Sequence, residues 1–322
     1  MTIITNDIPQ AAAVLRRGGL VAVPTETVYG LAADASHETA IRDLFKAKQR
    51  PFDHPLIVHL ANLEQLSLWA RDIPESAYIL ANQFWPGPLT LILKKQPHVL
   101  DIVTGQQETV GIRIPRHPVA IALLNEFGGG LAAPSANQFT HISPTTAQAV
   151  LNELDGRIDL ILEGGDCEVG LESTILDLTS ERPTILRPGM ITEQMISAQL
   201  KTPVMMKHAT ESKQRVPGMH HLHYAPQTRT YVVADHELNA FIEDAAKPLV
   251  LISHARDVPI DISQQVIFLT NDAHHYAHEL YRTLRECDQG QFKTIVVLAV
   301  PSSPEWEAIR DRLAKASYPR IS

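Results

Sequence analysis

Residues 24–30 read PTETVYG and directly follow an apolar run, LVAV, at residues 20–23. The apolar run predicts a buried strand, so two threonines and a tyrosine are expected in the turn that leaves it. A second stretch, KAKQRP at residues 46–51, places three cations near the end of a predicted helix. Fixed hydroxyl donors beside clustered cations suit a phosphate-bearing small molecule. The two stretches together indicate a nucleotide site that lacks a glycine-rich loop.

The bulk composition is that of a globular protein of 322 residues, 44% apolar and 20% charged, which is long enough for two domains. The net charge of -8 argues against a broad electrostatic grip on nucleic acid, although a local basic pocket is compatible with it. The distant cysteines, Cys167 and Cys287, exclude a disulfide framework and a thiolate metal site. No segment approaches the ~20 apolar residues of a membrane span, so we expect a cytoplasmic protein with no membrane partner.

The first 202 residues alternate short β-rich runs with helical stretches. Strands are predicted at residues 20–23, 56–60, 89–93, 110–114, 131–133, 160–162, 174–177 and 184–186. Helices are predicted at residues 9–17, 40–48, 63–69, 75–84, 117–126, 145–154 and 192–200. This alternation predicts an α/β layered domain with a mixed, twisted sheet over residues 1–202.

The pattern dissolves over residues 203–228, which we interpret as a linker that is either flexible or functional. Residues 229–322 are regular again and predict a small Rossmann-like α/β domain. Its strands are expected at 231–234, 249–253, 266–269 and 294–300, and its helices at 237–246, 273–287 and 304–316. This part of the chain holds one glycine, Gly290, so a phosphate-cradling loop is not expected there.

Single residues carry weaker signals. Arg113 stands inside an apolar strand, where a cation needs a carboxylate of the protein or of a ligand, and the structural pairing is favoured from the residues alone. A lone strand histidine such as His59 is more often a core residue than a catalyst. Ser143 is predicted to cap a helix, with an anion-binding helix N-terminus as the sharper alternative.

Other site classes are disfavoured. The chain has no Walker loop, and Ser135 lies in APSAN rather than in a glycine-flanked nucleophile elbow, which disfavours a serine hydrolase. Two histidine groups have spacings that metals tolerate, but neither contains a thiolate, so no metal site is predicted at either. These groups are His220, His221 and His223, and His274, His275 and His278.

Seven motifs in order resemble the YrdC-like family, whose long members are two-domain threonylcarbamoyl-AMP synthases. The motifs are PTETVYGL at 24–31, KAKQRP at 46–51, HPLIVH at 54–59, FWPGPLT at 84–90, APSAN at 133–137, SPT at 143–145 and ESTI at 172–175. An HYAP motif at residues 223–226 stands where the long members end their linker. The resemblance is strong to about residue 190 and beyond the linker is one of architecture only.

The resemblance implies that L-threonine, bicarbonate and ATP react to L-threonylcarbamoyl-adenylate and pyrophosphate, with Mg2+ accompanying the phosphates. It also implies a downstream threonylcarbamoyl transferase complex, which acts on tRNA beside the anticodon. Because a carbamate oxygen would attack the α-phosphorus, the protein needs no nucleophile of its own. The small basic excess of residues 41–60 leaves direct tRNA binding open.

The site residues implied by the resemblance fall into two groups. The threonine pocket would comprise Thr27, His59, Arg113, Ala133 and Ser173. The nucleotide side would comprise Lys48, Arg50, His54, Thr109, Ser135, Asn137, Ser143, Arg187 and Tyr224, with Lys48 and Arg50 as the catalytic cations on the triphosphate. Tyr224 would fold over the ATP and make the linker a lid that excludes water.

Two other functions remain open at this point. One is a non-catalytic RNA-binding module, which would show salt-dependent RNA binding without turnover. The other is carbamoyl transfer in hydrogenase maturation, where a YrdC-like domain accompanies zinc-finger and acylphosphatase modules that this sequence lacks.

Overall fold

The computed structural model describes residues 1–207, 215–218, 223–255 and 265–319. Within them the first 206 residues form twelve strands and eight α-helices. The strands are β1 Ile3–Thr5, β2 Val21–Val23, β3 Gly30–Asp34, β4 Ile57–His59, β5 Ala70–Arg71, β6 Leu89–Lys95, β7 Thr109–Arg113, β8 Leu131–Ala132, β9 Leu160–Leu162, β10 Thr174–Asp177, β11 Thr184–Arg187 and β12 Met205–Met206. The helices are α1 Ile8–Arg16, α2 Glu38–Lys48, α3 Leu66–Trp69, α4 Glu75–Phe84, α5 Asp101–Thr104, α6 Pro118–Phe127, α7 Ala147–Leu154 and α8 Glu193–Leu200.

The first sheet is mixed. Its order is β1-β9-β2-β3-β8-β4-β7-β6-β10-β11-β12, with β5 paired to β6. The strands β4 and β7 run parallel in its middle, in a register that sets His59 opposite Arg113 at their carboxyl ends. Carboxyl ends of neighbouring parallel strands form a natural crevice, and the cleft described below lies there.

The C-terminal unit is a second sheet with helices. Its described strands, β13 Arg229–Val233, β14 Leu249–Ser253, β15 Gln265–Phe268 and β16 Thr294–Leu298, run parallel in the order β13-β16-β14-β15. Its described helices are α9 Leu238–Asp244, α10 Ala273–Gln289 and α11 Glu307–Ala316. None of the described helices of the chain is both long and apolar enough to cross a bilayer.

Helix α2 ends in a way that prepares the cleft. Its last residue, Lys48, is buried, and Gln49 takes a left-handed conformation with φ 54° that turns the chain back. The backbone N–H of Arg50 then donates to the Phe45 carbonyl oxygen at 2.9 Å, which closes the helix. Lys46 points to solvent and pairs with Asp43 at 2.9 Å. Only two of the three cations in the KAKQRP stretch are therefore buried.

The two units share an apolar cluster. Residues Val28, Ile142 and Leu171 of the first unit are buried in one cluster with Tyr224 and with side chains of α10. Gly170, with φ +77°, lets α10 approach closely, because a Cβ there would lie 2.6 Å from the Ala277 carbonyl oxygen. The interface between the units thus runs along the rim of the cleft.

Two local predictions need correction. The helix predicted from residue 145 begins at Ala147 and is capped by Thr146, whose side chain accepts from the Ala149 N–H at 3.1 Å. Ser143 is not the cap, because its hydroxyl is buried and donates to Glu172 at 2.6 Å. Strand β3 begins at Gly30, where we predicted only a turn. The first sheet also continues through β12, which pairs with β11.

Candidate active site

The cleft lies where β4, β7 and β11 end and β10 begins, below the described part of the linker. Its walls are Thr25, Thr27, Val28, Gly30, Arg50, Ile57, His59, Arg113, Ala133, Pro134, Ser135, Glu172, Ser173, Arg187, Pro217, Gly218, His223 and Tyr224. These residues come from widely separated parts of the chain, and their side chains include three arginines, two histidines and a single carboxylate. Such a surplus of positive charge in a mostly buried cleft suits an anionic ligand.

Arg113 is held in place by three neighbours. Its Nη2 atom lies 2.7 Å from the Glu26 carboxylate, Nη1 donates to the Thr27 hydroxyl at 2.9 Å, and Nε donates to the Gly87 carbonyl oxygen at 3.1 Å. Arg113 and Glu26 are both buried. The contact with Glu26 is an ion pair rather than a hydrogen bond, because neither Nη2 nor the carboxylate oxygens have a hydrogen-bond partner in the protein. The structural pairing favoured from the residues alone is therefore present.

His59 is a neutral imidazole beside this guanidinium. Burial and the neighbouring Arg113 cation lower the pKa of His59 to about 3, although a hydrogen bond with Ile57 opposes them. Its Nδ1 atom is buried without a hydrogen-bond partner in the protein. A neutral ring with an unsatisfied nitrogen in a cleft can exchange one hydrogen bond with a polar ligand, and it adds no charge.

Lys48 and Arg50 have different surroundings. The Lys48 ammonium donates to the carbonyl oxygens of Ser135 and Asn137, so it anchors the loop that follows β8. Burial and the nearby Arg50 hold the pKa of Lys48 well below its usual value. Arg50 lines the cleft, donates from Nη2 to the Pro55 carbonyl oxygen at 2.9 Å, and has a buried Nε without a partner. Burial lowers the Arg50 pKa to about 10, so it stays cationic at neutral pH.

Arg187 and Ser173 line the cleft together. The Arg187 guanidinium donates to the Ser173 carbonyl oxygen at 2.9 Å and to its hydroxyl at 3.2 Å. The Ser173 hydroxyl also lies 2.8 Å from the Thr90 hydroxyl. Through Nη1, Arg187 reaches the Pro217 carbonyl oxygen of the linker at 3.4 Å. One guanidinium thus connects a wall of the cleft to the segment that covers it.

The linker covers the cleft with Tyr224. This side chain is 1% exposed, and its backbone has φ 60°, a left-handed conformation that a non-glycine residue rarely adopts. Burial and the nearby Glu172 carboxylate raise the Tyr224 pKa to about 12, so the phenol is protonated at neutral pH. Gly218 faces its hydroxyl so closely that a Cβ there would lie 2.2 Å from Oη.

Sequence comparison places the whole chain in one family. The family model described as Telomere recombination, which covers Sua5, YciO and YrdC, matches residues 13–189, and the model described as Threonylcarbamoyl-AMP synthase, C-terminal domain, matches residues 191–317. The chain belongs to the threonylcarbamoyl-AMP synthase family. It is 38% identical to the synthase of Pyrococcus abyssi over 100% of this chain and 99% of that one, and 38% identical to the Bacillus subtilis synthase over 98% and 95%.

The fold agrees with this membership. The crystal structure of P. abyssi Sua5 complexed with L-threonine matches this chain with a TM-score of 0.90 and 36% identity, covering 98% of this chain and 97% of that one. The predicted family, the two-part α/β fold and the assignment as an enzyme that makes threonylcarbamoyl-AMP, the first step of threonylcarbamoyladenosine formation in tRNA, are confirmed.

The structure brings most of the predicted synthase site residues together. The predicted residues that line the cleft are Thr27, Arg50, His59, Arg113, Ala133, Ser135, Ser173, Arg187 and Tyr224. The others do not line it: they are Lys48, His54, Thr109, Asn137 and Ser143. Asn137 holds its own loop through the Gln138 and His141 carbonyl oxygens, and Thr109 begins β7, at the opposite end of the strand from Arg113. The ligand roles of all these residues stay predictions.

Two buried glutamates are functional candidates that the sequence reasoning missed. Glu26 pairs with Arg113, and Glu172 is the carboxylate of the cleft. Both lie within quoted motifs, PTETVYG and ESTI, so a signal was available.

The histidine groups do not form a metal site among the described residues, where no cluster of three or more His, Cys, Asp or Glu could hold an ion. His278 instead interacts through Nδ1 with the Glu168 carbonyl oxygen at 3.0 Å, and His275 lies 3.0 Å from Asp272. His220 and His221 lie outside the described residues.

Proposed function

We propose that this chain joins L-threonine, bicarbonate and ATP into L-threonylcarbamoyl-adenylate with release of pyrophosphate. The observation that carries the proposal is the cleft itself, in which Arg113 and neutral His59 lie at one end and Arg50 and Arg187 line the rest. One end suits an amino-acid carboxylate with a hydroxyl, and the other suits a polyphosphate. The threonine complex of P. abyssi Sua5 supports the same interpretation.

The threonine end is built around Arg113. A guanidinium has five N–H groups. Nε donates to Gly87 and Nη1 to Thr27, while Nη2 makes only an ion pair with Glu26, so each terminal nitrogen keeps at least one N–H group for a ligand. These two N–H groups can bind a threonine carboxylate bidentately. His59 and the Thr27 hydroxyl then face the amino-acid side chain, with Ala133 and Ser173 completing the pocket.

The nucleotide end relies on cations and on a loop that they anchor. Arg50 has an unpartnered Nε in the cleft, and Arg187 neighbours it closely enough to influence its pKa. We assign both arginines to the triphosphate, with Ser135 beside them. Lys48 supports them by fixing the loop carbonyls of Ser135 and Asn137, and it reaches phosphate only if that loop moves. We assign the four remaining predicted residues, which do not line the cleft, to further contacts with the nucleotide: His54, Thr109, Asn137 and Ser143.

The reaction needs positioning and charge rather than a protein nucleophile. The threonine amine and bicarbonate form a carbamate with loss of water. A carbamate oxygen then forms a bond to the α-phosphorus while the bond from that phosphorus to the bridging oxygen breaks and pyrophosphate leaves. Cations aimed at the phosphates stabilise the charge that develops, and a closed cleft protects the carbamate and the adenylate from water.

Magnesium enters this scheme with its substrate. Glu172, the one carboxylate among the described residues that line the cleft, already accepts hydrogen bonds from Ser143, Tyr281 and Arg312. Mg2+ prefers free oxygen ligands and commonly keeps phosphate oxygens and waters. We therefore propose that ATP arrives as its magnesium complex and that the phosphates hold the ion.

The product is a reactive acyl-adenylate, so a second enzyme must consume it. We propose a threonylcarbamoyl transferase complex that acts on tRNA as this partner, in the cytoplasm, where ATP and tRNA are both available. The net charge of -8 supports transfer through that partner rather than a broad tRNA-binding surface on this chain.

Pyrophosphate release tests the proposed function. The purified chain is given ATP and Mg2+, with threonine and bicarbonate each present or omitted, and the product is identified by mass spectrometry. We expect pyrophosphate only when both co-substrates are present, together with the mass of threonylcarbamoyl-adenylate. No release from folded protein that still binds ATP would reject the synthase proposal, and salt-dependent RNA binding without turnover would favour the RNA-binding alternative.

Replacing Gly218 by alanine tests whether ATP use requires the Tyr224 side chain in its observed position. The added Cβ would lie 2.2 Å from the Tyr224 hydroxyl and 3.5 Å from Arg187 Cδ, in a backbone with φ +88°. Because overpacking costs about 1–3 kcal/mol, we expect kcat/KM for ATP to fall roughly 5- to 150-fold. Adding Tyr224→Phe removes the clashing atom and should restore most of the loss.

The matched control for this prediction is Gly128→Ala. Gly128 has φ +81° with open space around its Cβ position, so the control carries the backbone strain without the clash. Equal losses in Gly218→Ala and Gly128→Ala, or no rescue by Tyr224→Phe, would show that contact with Tyr224 is not the cause.

A further inference from the structure

A buried charged cluster joins the C-terminal unit to the wall of the cleft. The Arg312 side chain of α11 is 0% exposed, and its Nε donates to the Glu172 carboxylate at 2.7 Å. The same carboxylate accepts the Tyr281 hydroxyl of α10 at 3.1 Å and the Ser143 hydroxyl at 2.6 Å. Arg312 and Glu172 are 140 positions apart in sequence. Within the described part of the cleft lining, the one carboxylate is thus paired with a cation that the C-terminal unit supplies.

The same guanidinium also touches the linker. Its carbon Cζ lies 5.3 Å from the centre of the Tyr224 ring, and Tyr281 stacks near that ring at 5.9 Å with an interplanar angle of 29°. Helix α11 holds the preceding residue as well, because the His223 N–H donates to the Lys315 carbonyl oxygen at 2.9 Å. Tyr224 is therefore positioned from the side of the C-terminal unit while its hydroxyl end faces Gly218 in the cleft.

Several charged and titratable groups surround Glu172. They are Arg312 on α11, Tyr281 on α10, Arg187 on β11 and Tyr224 of the linker. Asp311 lies beside them and forms ion pairs with both Arg312 and Lys315. Burial raises the pKa of the Glu172 carboxyl, but Arg312, Arg187 and the Ser143 hydroxyl outweigh it, so the pKa is lowered. Among these opposing groups, Arg312 has the largest effect on the Glu172 pKa.

We propose that Arg312 is a positioning residue of the nucleotide site, through which the C-terminal unit completes that site. It keeps Glu172 ionised and in place, and it supports the Tyr224 ring, so the wall and the cover of the cleft depend on one buried cation. This inference rests on the proposed function, because it concerns how ATP is held. It gives the C-terminal unit a part in the reaction beyond tethering the linker.

The first test compares three single variants in the full-length chain. Arg312→Met removes the cation, Arg312→Lys keeps the charge without the planar group, and Arg310→Met is the matched control. Arg310 lies on the same helix but contacts Pro301, Ser303 and Glu307 instead of the cleft. We expect kcat/KM for ATP to fall on the order of 100-fold in Arg312→Met, less in Arg312→Lys and within about 3-fold of wild type in the control.

The second test measures the pH profile of kcat/KM for ATP. A purely structural role of Arg312 would leave the acid limb of that profile in place. A carboxyl with a lowered pKa stays ionised until the pH falls through that lowered value. Without Arg312 the Glu172 pKa rises, so the acid limb of kcat/KM for ATP should move up by about 1 pH unit or more in Arg312→Met. In Glu172→Gln/Arg312→Met nothing remains to titrate at this position, so the shift should vanish.

The double variant also guards against misfolding, because it removes both buried charges instead of leaving one unpaired. We expect it to regain thermal stability relative to Arg312→Met while ATP binding, measured by calorimetry, stays weaker than in wild type. Normal ATP binding in a folded double variant, or an acid limb that does not move in Arg312→Met, would overturn the positioning role. If wild type itself makes no adenylate, it is the proposed function that fails.

Discussion

Replacing Arg113 by alanine should raise the KM for threonine roughly 30-fold to several thousand-fold, because a desolvated charge pair contributes about 2–5 kcal/mol. The KM for ATP should change little, since Arg113 lies at the end of the cleft away from Arg50 and Arg187 in our assignment. Steady-state pyrophosphate release at saturating ATP and bicarbonate, with threonine varied, measures the effect. Arg113→Lys should recover only part of it, because an ammonium does not offer the two parallel N–H groups.

The Arg113→Ala result needs a control for folding. Removing the guanidinium leaves Glu26 buried without its partner 2.7 Å away, which destabilises a protein by about 3–5 kcal/mol. Glu26→Gln/Arg113→Met removes both charges and should fold better than Arg113→Ala without regaining threonine affinity. A folded double variant with a normal threonine KM would mean that Arg113 serves Glu26 alone and that another group binds the carboxylate.

Truncating Tyr224 to alanine should weaken ATP use and increase hydrolysis of the reaction intermediates. Removing a buried aromatic ring costs about 3–5 kcal/mol, and part of that loss falls on closure of the cleft, so kcat/KM for ATP should drop on the order of 100-fold. Water that enters the open cleft should hydrolyse carbamate and adenylate. The ratio of adenylate recovered to pyrophosphate released should therefore fall well below that of wild type.

Tyr224→Phe is the matched control, because it keeps the ring against Arg312 and Tyr281. It should keep most of the activity and the product ratio. Threonine affinity of Tyr224→Ala, measured by calorimetry without ATP, should stay within about 3-fold of wild type, since the Tyr224 ring packs on Arg312 and Tyr281 rather than on the residues assigned to threonine. An unchanged ATP KM and product ratio in a folded Tyr224→Ala variant would reject the lid.

The pattern of apolar residues predicted helices and strands well wherever it repeats with one clear helical or strand period. The helix Glu75–Phe84 and the strands Leu160–Leu162, Thr174–Asp177 and Leu249–Ser253 have the predicted bounds. The helix start after Ser143 was misplaced because a cap depends on where the hydroxyl finds its partner. Ser143 finds Glu172, which is 29 positions away, and Thr146 caps the helix instead.

The site residues show the same difference between what local sequence predicts and what distant contacts decide. Ordered motifs were enough to predict the family, the α/β fold, the adenylate chemistry and half of the residues that line the cleft, because the residues of one motif are close in sequence and reach the cleft together. The roles of the cations were harder to predict from the sequence. Lys48 was expected on phosphate, yet its ammonium meets the carbonyl oxygens of Ser135 and Asn137, some 90 positions along the chain.

The amino-acid sequence by itself determined which chemistry this protein can hold: hydroxyls, arginines and a strand histidine, in a family order that implies a synthase. Only the tertiary structure decided which charges neutralise each other, pairing Arg113 with Glu26 and Glu172 with Arg312. The physical reason is that a buried charge is tolerated only next to its partner, and the path of the whole chain sets which partner comes within 3 Å.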